Sequence, residues 1–378
     1  MPDRPLICAT VTAPTMAVLR ARRDAAGAAD LVEVRLDSVG DPDVSGALQG
    51  RRGPVLVTCR PSWEGGAFQG SEDERERILT AALSAGAEFV DVEWRAAFRD
   101  RLMAATGGRR VVLSQHDFDG VPPDLCDRVR AMRASGAQVV KMAVQAQRLA
   151  DMLPLLEAGR QSGADGGLVT LAMGTAGLAS RVLAARFGSC WTYAGGEAQL
   201  GQVPVERLLH EFRFRAVTPA TAVYGLVGAP VQHSVSPAMH NAAFAAAGLD
   251  AVYVPFEAAG ADDFLAVAGP LDVRGASVTI PFKQDLLARV AQADAAARDA
   301  GALNTLKRVG GQWLGANTDV AGFLAPLEGR VELRGLRATV LGAGGAARAV
   351  VDALARAGAR EILIFNRSLQ RAKALGEA

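Results

Sequence analysis

Apolar positions in the first 200 residues fall in short runs rich in β-branched residues. Longer segments of Ala, Leu, Arg and acidic residues separate them. The runs are Leu6–Val11, Leu31–Leu36, Val55–Cys59, Glu88–Glu93, Val111–Ser114, Gln138–Met142, Gly167–Ala172 and Cys190–Tyr193. Most begin about 20–30 residues after the one before, the period of strand–helix units on a parallel sheet. The segments between them carry helix signals, such as the capping box Ser71-Glu-Asp-Glu74 with Gly86 as its stop. Eight such units in about 200 residues predict an α/β fold that closes as a (β/α)8 barrel, with an open sheet as the alternative.

The stretch Arg213 to Ala222 has no period and reads as a linker. A second α/β pattern follows. It predicts strands at 223–227, 251–255 and 276–280 and helices at 237–247, 261–268 and 284–297. A hairpin around Gly310-Gly311 and a helix from Val320 complete it. Then comes RATVLGAGGAARAV, Arg337 to Val350: a strand, a glycine-rich turn and a helix start, the opening of a dinucleotide-binding fold. The sequence ends at Ala378, about 36 residues after Gly342, so the expectation is a nucleotide-binding domain only begun. The expected domains are 1–215, 222–330 and 331–378.

Half of the residues are hydrophobic, yet no apolar run reaches the roughly 18–20 residues that span a bilayer. The N-terminus has no basic stretch followed by a long apolar one. Net charge is +1, which implies no broad basic face for nucleic acid. A cytoplasmic protein acting on small molecules is expected, with neither membrane nor nucleic-acid partner and with a homodimer left open. Cys8, Cys59, Cys126 and Cys190 form no CxxC pair, and no histidine stands at a ligand spacing from them, so reduced thiols and no metal site are expected.

Barrel enzymes carry their chemistry at the C-terminal ends of the strands. Charged residues gather there: Glu33-Val-Arg35-Leu-Asp37, Arg60, Asp91-Val-Glu93, His116-Asp117 and Lys141. Residues two apart on a strand share a face, so Glu33 with Arg35, and Asp91 with Glu93, are expected to project inward as a compensating network. Lys141 stands alone in VVKMAV. It reads either as a snorkelling surface lysine or as an amine in an apolar pocket near other cations, able to form a Schiff base. His116, one strand earlier, suits proton transfer at neutral pH.

EVRLD, TCR…EGG, DVE, SQHDF, VVKMAV, MGTAGLASR and the FGS after it resemble, in that order, the type I 3-dehydroquinate dehydratases over about residues 5–210. The resemblance implies an imine between Lys141 and the C3 ketone of 3-dehydroquinate. It makes His116 the group that takes the C2 proton and helps expel the C1 hydroxyl, with Glu93 orienting His116. Glu33, Arg35, Arg60, Arg181 and Gln202 are implied to bind substrate. The closing loop departs from the family pattern: in Ala198-Gln-Leu-Gly-Gln202, Ala198 replaces a serine and Leu200 a proline.

In the second half, SVSPAMHN, SVTIPFK, GALNT and NTD, followed by GAGGAA, resemble shikimate dehydrogenase over about residues 222–378. This implies that Ser234 and Ser236 hold the carboxylate of shikimate or 3-dehydroshikimate. Thr279, Asn304 and Asp319 would bind its hydroxyls, and Lys283 with Asp319 would form the catalytic pair. Gly342, Ala343, Gly344, Gly345 and Ala346 form the nucleotide turn. No acid follows the second strand. Asn366, Arg367, Ser368 and Arg371 stand there instead, and arginines suit a 2′-phosphate, favouring NADP(H). The expectation is a bifunctional lyase and oxidoreductase of the shikimate pathway, with an impaired second activity. The rivals are a metabolite-sensing pseudoenzyme on the same folds and a quinate- or NAD-using dehydrogenase.

Overall fold

The structure, a computed structural model, describes residues 4–162, 166–197 and 200–377. The chain forms two compact units: Met1–Thr221 with Pro237–Val252, and Ala222–Ser236 with Tyr253–Ala378.

The eight apolar runs become β1 (Leu6–Val11), β2 (Leu31–Arg35), β3 (Val55–Thr58), β4 (Phe89–Glu93), β5 (Val111–Asp117), β6 (Val139–Gln145), β7 (Leu168–Met173) and β8 (Trp191–Ala194). They lie in the order β7-β6-β5-β4-β3-β2-β1-β8, and every ladder between neighbours in that order is parallel. The Cys190 N–H donates to the Leu168 carbonyl at 2.7 Å, drawing β8 back to β7 and nearly closing the barrel. Outside run α1 (Met16–Ala25), α2 (Val44–Leu48), α3 (Glu72–Ser84), α4 (Arg99–Thr106), α5 (Leu125–Ala134), α6 (Leu153–Ser162) and α7 (Leu178–Val182). The Ser71 hydroxyl accepts from the Glu74 N–H at the start of α3, as its capping signal predicts.

Alternation along the strands builds the barrel in layers. One face packs Val32, Val34, Val57, Val90 and Val92 against Leu19, Leu79 and Leu102 of the helices. The other puts Cys8, Leu31, Leu56, Val112, Val139, Val169 and Trp191 into one interior cluster. Two residues beyond Cys8, Leu31, Leu56, Val112, Val139 and Trp191 stand Thr10, Glu33, Thr58, Ser114, Lys141 and Tyr193, and two beyond Phe89, packed on the same cluster, stands Asp91. The apolar floor thus supports a polar layer at the C-terminal ends of the strands.

In the second half of the chain, β9 (Ala222–Gly228), α8 (Ser236–Ala246), β10 (Ala251–Glu257), α9 (Ala261–Ala268), β11 (Val273–Val278), β12 (Gln292–Ala293), α10 (Ala295–Ala300), β13 (Thr305–Val309), β14 (Gln312–Ala316) and α11 (Asp319–Leu324) follow in order. The sheet order is β10-β9-β11-β13-β14-β12. The expected single helix over 284–297 does not form. A 3₁₀ turn at Leu287–Arg289 is followed by β12, paired parallel with β14 through Gln292 and Ala293, and Asp294 then caps α10 by accepting from the Ala297 N–H. Strand pairing and a strong cap override the helix propensity of this alanine-rich stretch. The nucleotide motif forms β15 (Arg337–Leu341), α12 (Gly345–Arg356), β16 (Glu361–Phe365) and α13 (Leu369–Gly376), with β15 and β16 parallel.

Candidate active site

A cleft of about 490 Å³ opens at the C-terminal ends of the barrel strands. Glu33, Arg35, Arg60, Glu64, His116, Lys141, Arg181, Tyr193 and Gln202 are among the residues lining it. Lys141 is buried at its floor. Its ε-amine lies 3.6 Å from Asp91 Oδ2 and 4.0 Å from Glu33 Oε1, over the ring of Tyr193 at 4.1 Å from the centroid. The snorkelling alternative is therefore excluded. The expected apolar, cation-lined setting is also corrected: the amine sits between two carboxylates and an aromatic face. Glu33 is fixed by the Thr10 and Thr58 hydroxyls, each donating at 2.8 Å. Burial alone would raise the Asp91 carboxyl. Arg60, Lys141 and the Ser114 hydroxyl outweigh it and hold Asp91 below the usual carboxylate range.

His116 is the last residue but one of β5, two beyond Ser114, the register partner of Lys141 on β6. Burial, then the positive charges of Arg60, Lys141 and Arg35, push its imidazole well below its ordinary value, so the neutral ring prevails at neutral pH. The carboxylate on it is Glu64, not Glu93. Glu64 Oε1 lies 3.1 Å from His116 Nδ1 and accepts the His116 backbone N–H at 2.9 Å. Glu93 is held elsewhere, by Arg75 and by Arg60 Nη1 at 2.7 Å. Inward alternation identified Glu93 as buried but could not say which cation captures it. Glu64 was missed because it lies on a loop, although the EGG triplet marks it. Gly66 follows because a Cβ there would fall 2.1 Å from the Arg60 carbonyl oxygen. At Gly65, with φ +76°, a Cβ would strike the Phe118 ring. These glycines let the loop fold back and deliver Glu64 under His116. Burial pushes the Glu64 carboxyl up to about 7 against the opposing pull of Arg60.

Arg60, expected to bind substrate, lines the cleft with its guanidinium engaged by Glu93, the Ser114 hydroxyl and Asp91 Oδ1, the last at 2.8 Å. Arg35 is paired two-pronged with Asp37, at 2.8 and 2.7 Å. Arg181 differs: among the described residues its guanidinium reaches only the carbonyls of Leu200 and Tyr193, its Nε is unpaired, and burial lowers it to about 10. It is a buried cation facing the cleft with no carboxylate partner among the described residues. Gln202 accepts the Glu197 N–H at 3.3 Å. Ala198 lies outside the described residues. Leu200 lines the cleft, and its carbonyl ties the closing loop to Arg181 at 2.7 Å.

In the second half, β9 and β11 are parallel neighbours, so the segments after them emerge at one end of the sheet. Ser234 and Ser236 follow β9, and the Ser234 hydroxyl accepts the Ser236 N–H at 3.2 Å. Thr279 and Lys283 follow β11. Lys283 Nζ donates to Asp319 Oδ2 at 2.5 Å, and Asn304 Nδ2 donates to Asp319 Oδ1 at 2.7 Å. The methylenes of Lys283 pack where a Cβ on Gly345 would sit, so the glycine-rich turn meets the Lys283–Asp319 pair. Gly342 has φ +119°, a backbone that favours glycine. α12 starts after Gly344 with no side-chain cap, leaving N–H groups free for an anion. Arg367 and Arg371 are exposed just past β16, while Asn366 and Ser368 shape that turn, with the Ser368 hydroxyl capping α13. Among the described residues, no cluster of three or more His, Cys, Asp or Glu could hold a metal ion, and no helix is long and apolar enough to cross a membrane.

A parallel eight-stranded barrel with a buried lysine and a histidine lining one cleft at its C-terminal face defines the class, a (β/α)8 barrel with its polar cleft where barrel enzymes carry theirs. The chain belongs to the type I 3-dehydroquinase family, whose model matches residues 7–219. Models of the shikimate dehydrogenase substrate binding domain and of shikimate / quinate 5-dehydrogenase match residues 226–306 and 327–378. The chain is 33% identical to an Arabidopsis thaliana bifunctional 3-dehydroquinate dehydratase/shikimate dehydrogenase, over 99% of this chain and 66% of that protein. It is 47% identical to a Synechocystis shikimate dehydrogenase (NADP(+)), over 41% of this chain and 55% of that one. The crystal structure of 3-dehydroquinate dehydratase from Geobacillus kaustophilus superposes with a TM-score of 0.50 at 30% identity, covering 55% of this chain and 89% of that one. The chain thus spans under two thirds of the length of these two curated relatives.

Proposed function

We propose that the barrel dehydrates 3-dehydroquinate to 3-dehydroshikimate through an imine on Lys141. The second half, we infer, takes part in reducing that product to shikimate with NADPH. One observation carries the first reading: a buried amine, a neutral imidazole and a guanidinium with no carboxylate partner among the described residues line a single cleft.

Arg181 takes the substrate carboxylate, its planar fork suited to two-pronged contact. As the free base, Lys141 Nζ attacks the C3 ketone, and the carbinolamine takes up a proton and loses water to give the protonated imine. With His116 Nδ1–H donated to Glu64, Nε2 is free to take the C2 proton, and the electron pair moves into the imine as an enamine. The enamine expels the C1 hydroxyl, which leaves as water with the proton His116 returns. Hydrolysis releases the enone and restores the amine. Glu33 and Asp91 flank the nitrogen and stabilise its positive charge while the iminium exists.

In the second half, Ser234 and Ser236 hold the substrate carboxylate, and Thr279 and Asn304 contact hydroxyls. Lys283, oriented by Asp319, gives a proton to the carbonyl oxygen. The free N–H groups at α12 fit a pyrophosphate, and Arg367 and Arg371 fit a 2′-phosphate. NADPH supplies the hydride when bound.

The test follows the ultraviolet absorbance of the conjugated carboxylate after adding 3-dehydroquinate. The absorbance is expected to rise with this protein and not with Lys141→Ala. No rise with the folded unsubstituted protein overturns the dehydratase reading.

A further inference from the structure

Arg75 is a fully buried cation that the reaction above does not use. It sits on α3, outside the barrel wall, and its guanidinium meets the Cys59 carbonyl at 3.1 Å, Glu72 and Glu93. The faces of Trp63 and Phe98 lie 5.7 and 5.3 Å from it. Buried charges are held only when paired, so the partners of Arg75 show what it serves.

From Arg75 an alternating line of charges runs inward. Glu93 takes Arg75 on Oε2 and Arg60 on Oε1. Arg60 then divides. Its Nη2 holds Asp91 at 2.8 Å, and the other oxygen of Asp91 faces Lys141 Nζ at 3.6 Å. Its Nη1 lies 3.9 Å from Glu64, the carboxylate on His116. Both reacting side chains are therefore oriented through one arginine, and that arginine is held from outside by the Arg75–Glu93 pair.

Resting on the dehydratase reading, we propose that Arg75 is a positioning residue for the reaction. It touches neither substrate nor reacting atoms, and acts through Glu93 and Arg60 on the Asp91–Lys141 and Glu64–His116 pairs together. Without Arg75, the Glu93 carboxylate draws Arg60 toward itself, away from Asp91 and Glu64. His116 is faced by Glu64 of the loop, Arg60 at the end of β3, Lys141 on β6 and Arg35 at the end of β2, with Phe118 stacked beside it. Withdrawing Arg60 removes a cation from that set and leaves Glu93 less compensated. Both changes favour the protonated imidazole.

The experiment measures kcat, KM and the pH profile of dehydration for the unsubstituted protein, Arg75→Met, Arg75→Lys and Glu93→Gln, with circular dichroism to confirm folding. Arg75→Met is expected to lose about tenfold or more in kcat, with KM nearly unchanged, because displaced catalytic groups cost rate rather than binding. Its acid limb is expected to move to higher pH. Arg75→Lys is expected to recover part of both. Glu93→Gln removes the negative charge that holds Arg60 back, so its acid limb is expected to move to lower pH. If Arg75→Met does not fold, Glu93→Gln carries the test, since it conserves shape. A folded Arg75→Met or Glu93→Gln with unaltered kcat and an unmoved acid limb overturns the proposal. An inactive unsubstituted protein overturns the underlying dehydratase reading instead.

Discussion

At the scale of single residues, two groups in the barrel cleft gain meaning from the partners they have or lack. Among the described residues Arg181 is bonded to carbonyls and to no carboxylate, a setting that favours an entering anion. A charge-assisted hydrogen bond contributes about 1.5–3 kcal/mol. Arg181→Met is therefore expected to raise KM roughly tenfold or more, with a smaller effect on kcat, in steady-state kinetics; an unchanged KM contradicts the carboxylate role. Glu64 gives a sign as well as a size. Its carboxylate beside Nδ1 favours the imidazolium that forms as the proton is taken, so removing the negative charge makes His116 a weaker base. Glu64→Gln is expected to lose about a hundredfold in kcat, the lower end of general acid–base effects, and to move the acid limb to lower pH. An acid limb that stays put contradicts the pairing.

At the scale of elements, the loop Pro61–Phe68 shows what sequence alone could and could not deliver. Its glycines were legible as a motif, but the carbonyl they approach was not, because that contact depends on how the loop folds back over β3. Gly66→Ala would place a methyl group on the Arg60 carbonyl. The loop must shift, at a cost of roughly 1–3 kcal/mol, and Glu64 shifts with it. A lower kcat, with the thermal unfolding of the barrel shifted down by several degrees, is the expected result. The barrel strands were legible because their β-branched runs agree with their burial on both faces. Residues 284–297 were not, because the pairing of Gln292 and Ala293 with β14 is a tertiary fact that composition does not encode. Glu93 was misassigned for a related reason: alternation identifies the face, and only packing identifies the partner. At the nucleotide turn, Arg371→Ala is expected to weaken NADP binding about tenfold or more, and NAD binding hardly at all, by calorimetry, since only NADP carries the phosphate a guanidinium would meet.

At the scale of the whole molecule, each unit has its own architecture. The barrel sets its chemistry on an apolar floor: Cys8, Leu31, Leu56 and Val139 fill the interior below Glu33, Asp91 and Lys141. A low-dielectric floor strengthens each interaction in the layer above it and leaves any unpaired charge costly. That is why the layer is so thoroughly paired, and why Arg181, bonded to carbonyls and to no carboxylate among the described residues, stands out. In the second unit, Lys283, Asn304 and Asp319 already form one hydrogen-bonded set beside the Gly345 turn. The central claim is that Lys141 bonds covalently to a ketone substrate. Treating the protein with 3-dehydroquinate and borohydride, then mapping peptides by mass, tests it most directly. The account predicts a stable reduced adduct on the peptide carrying Lys141, absent without substrate and absent in Lys141→Ala. A folded protein that turns over substrate with no adduct at Lys141 would contradict it.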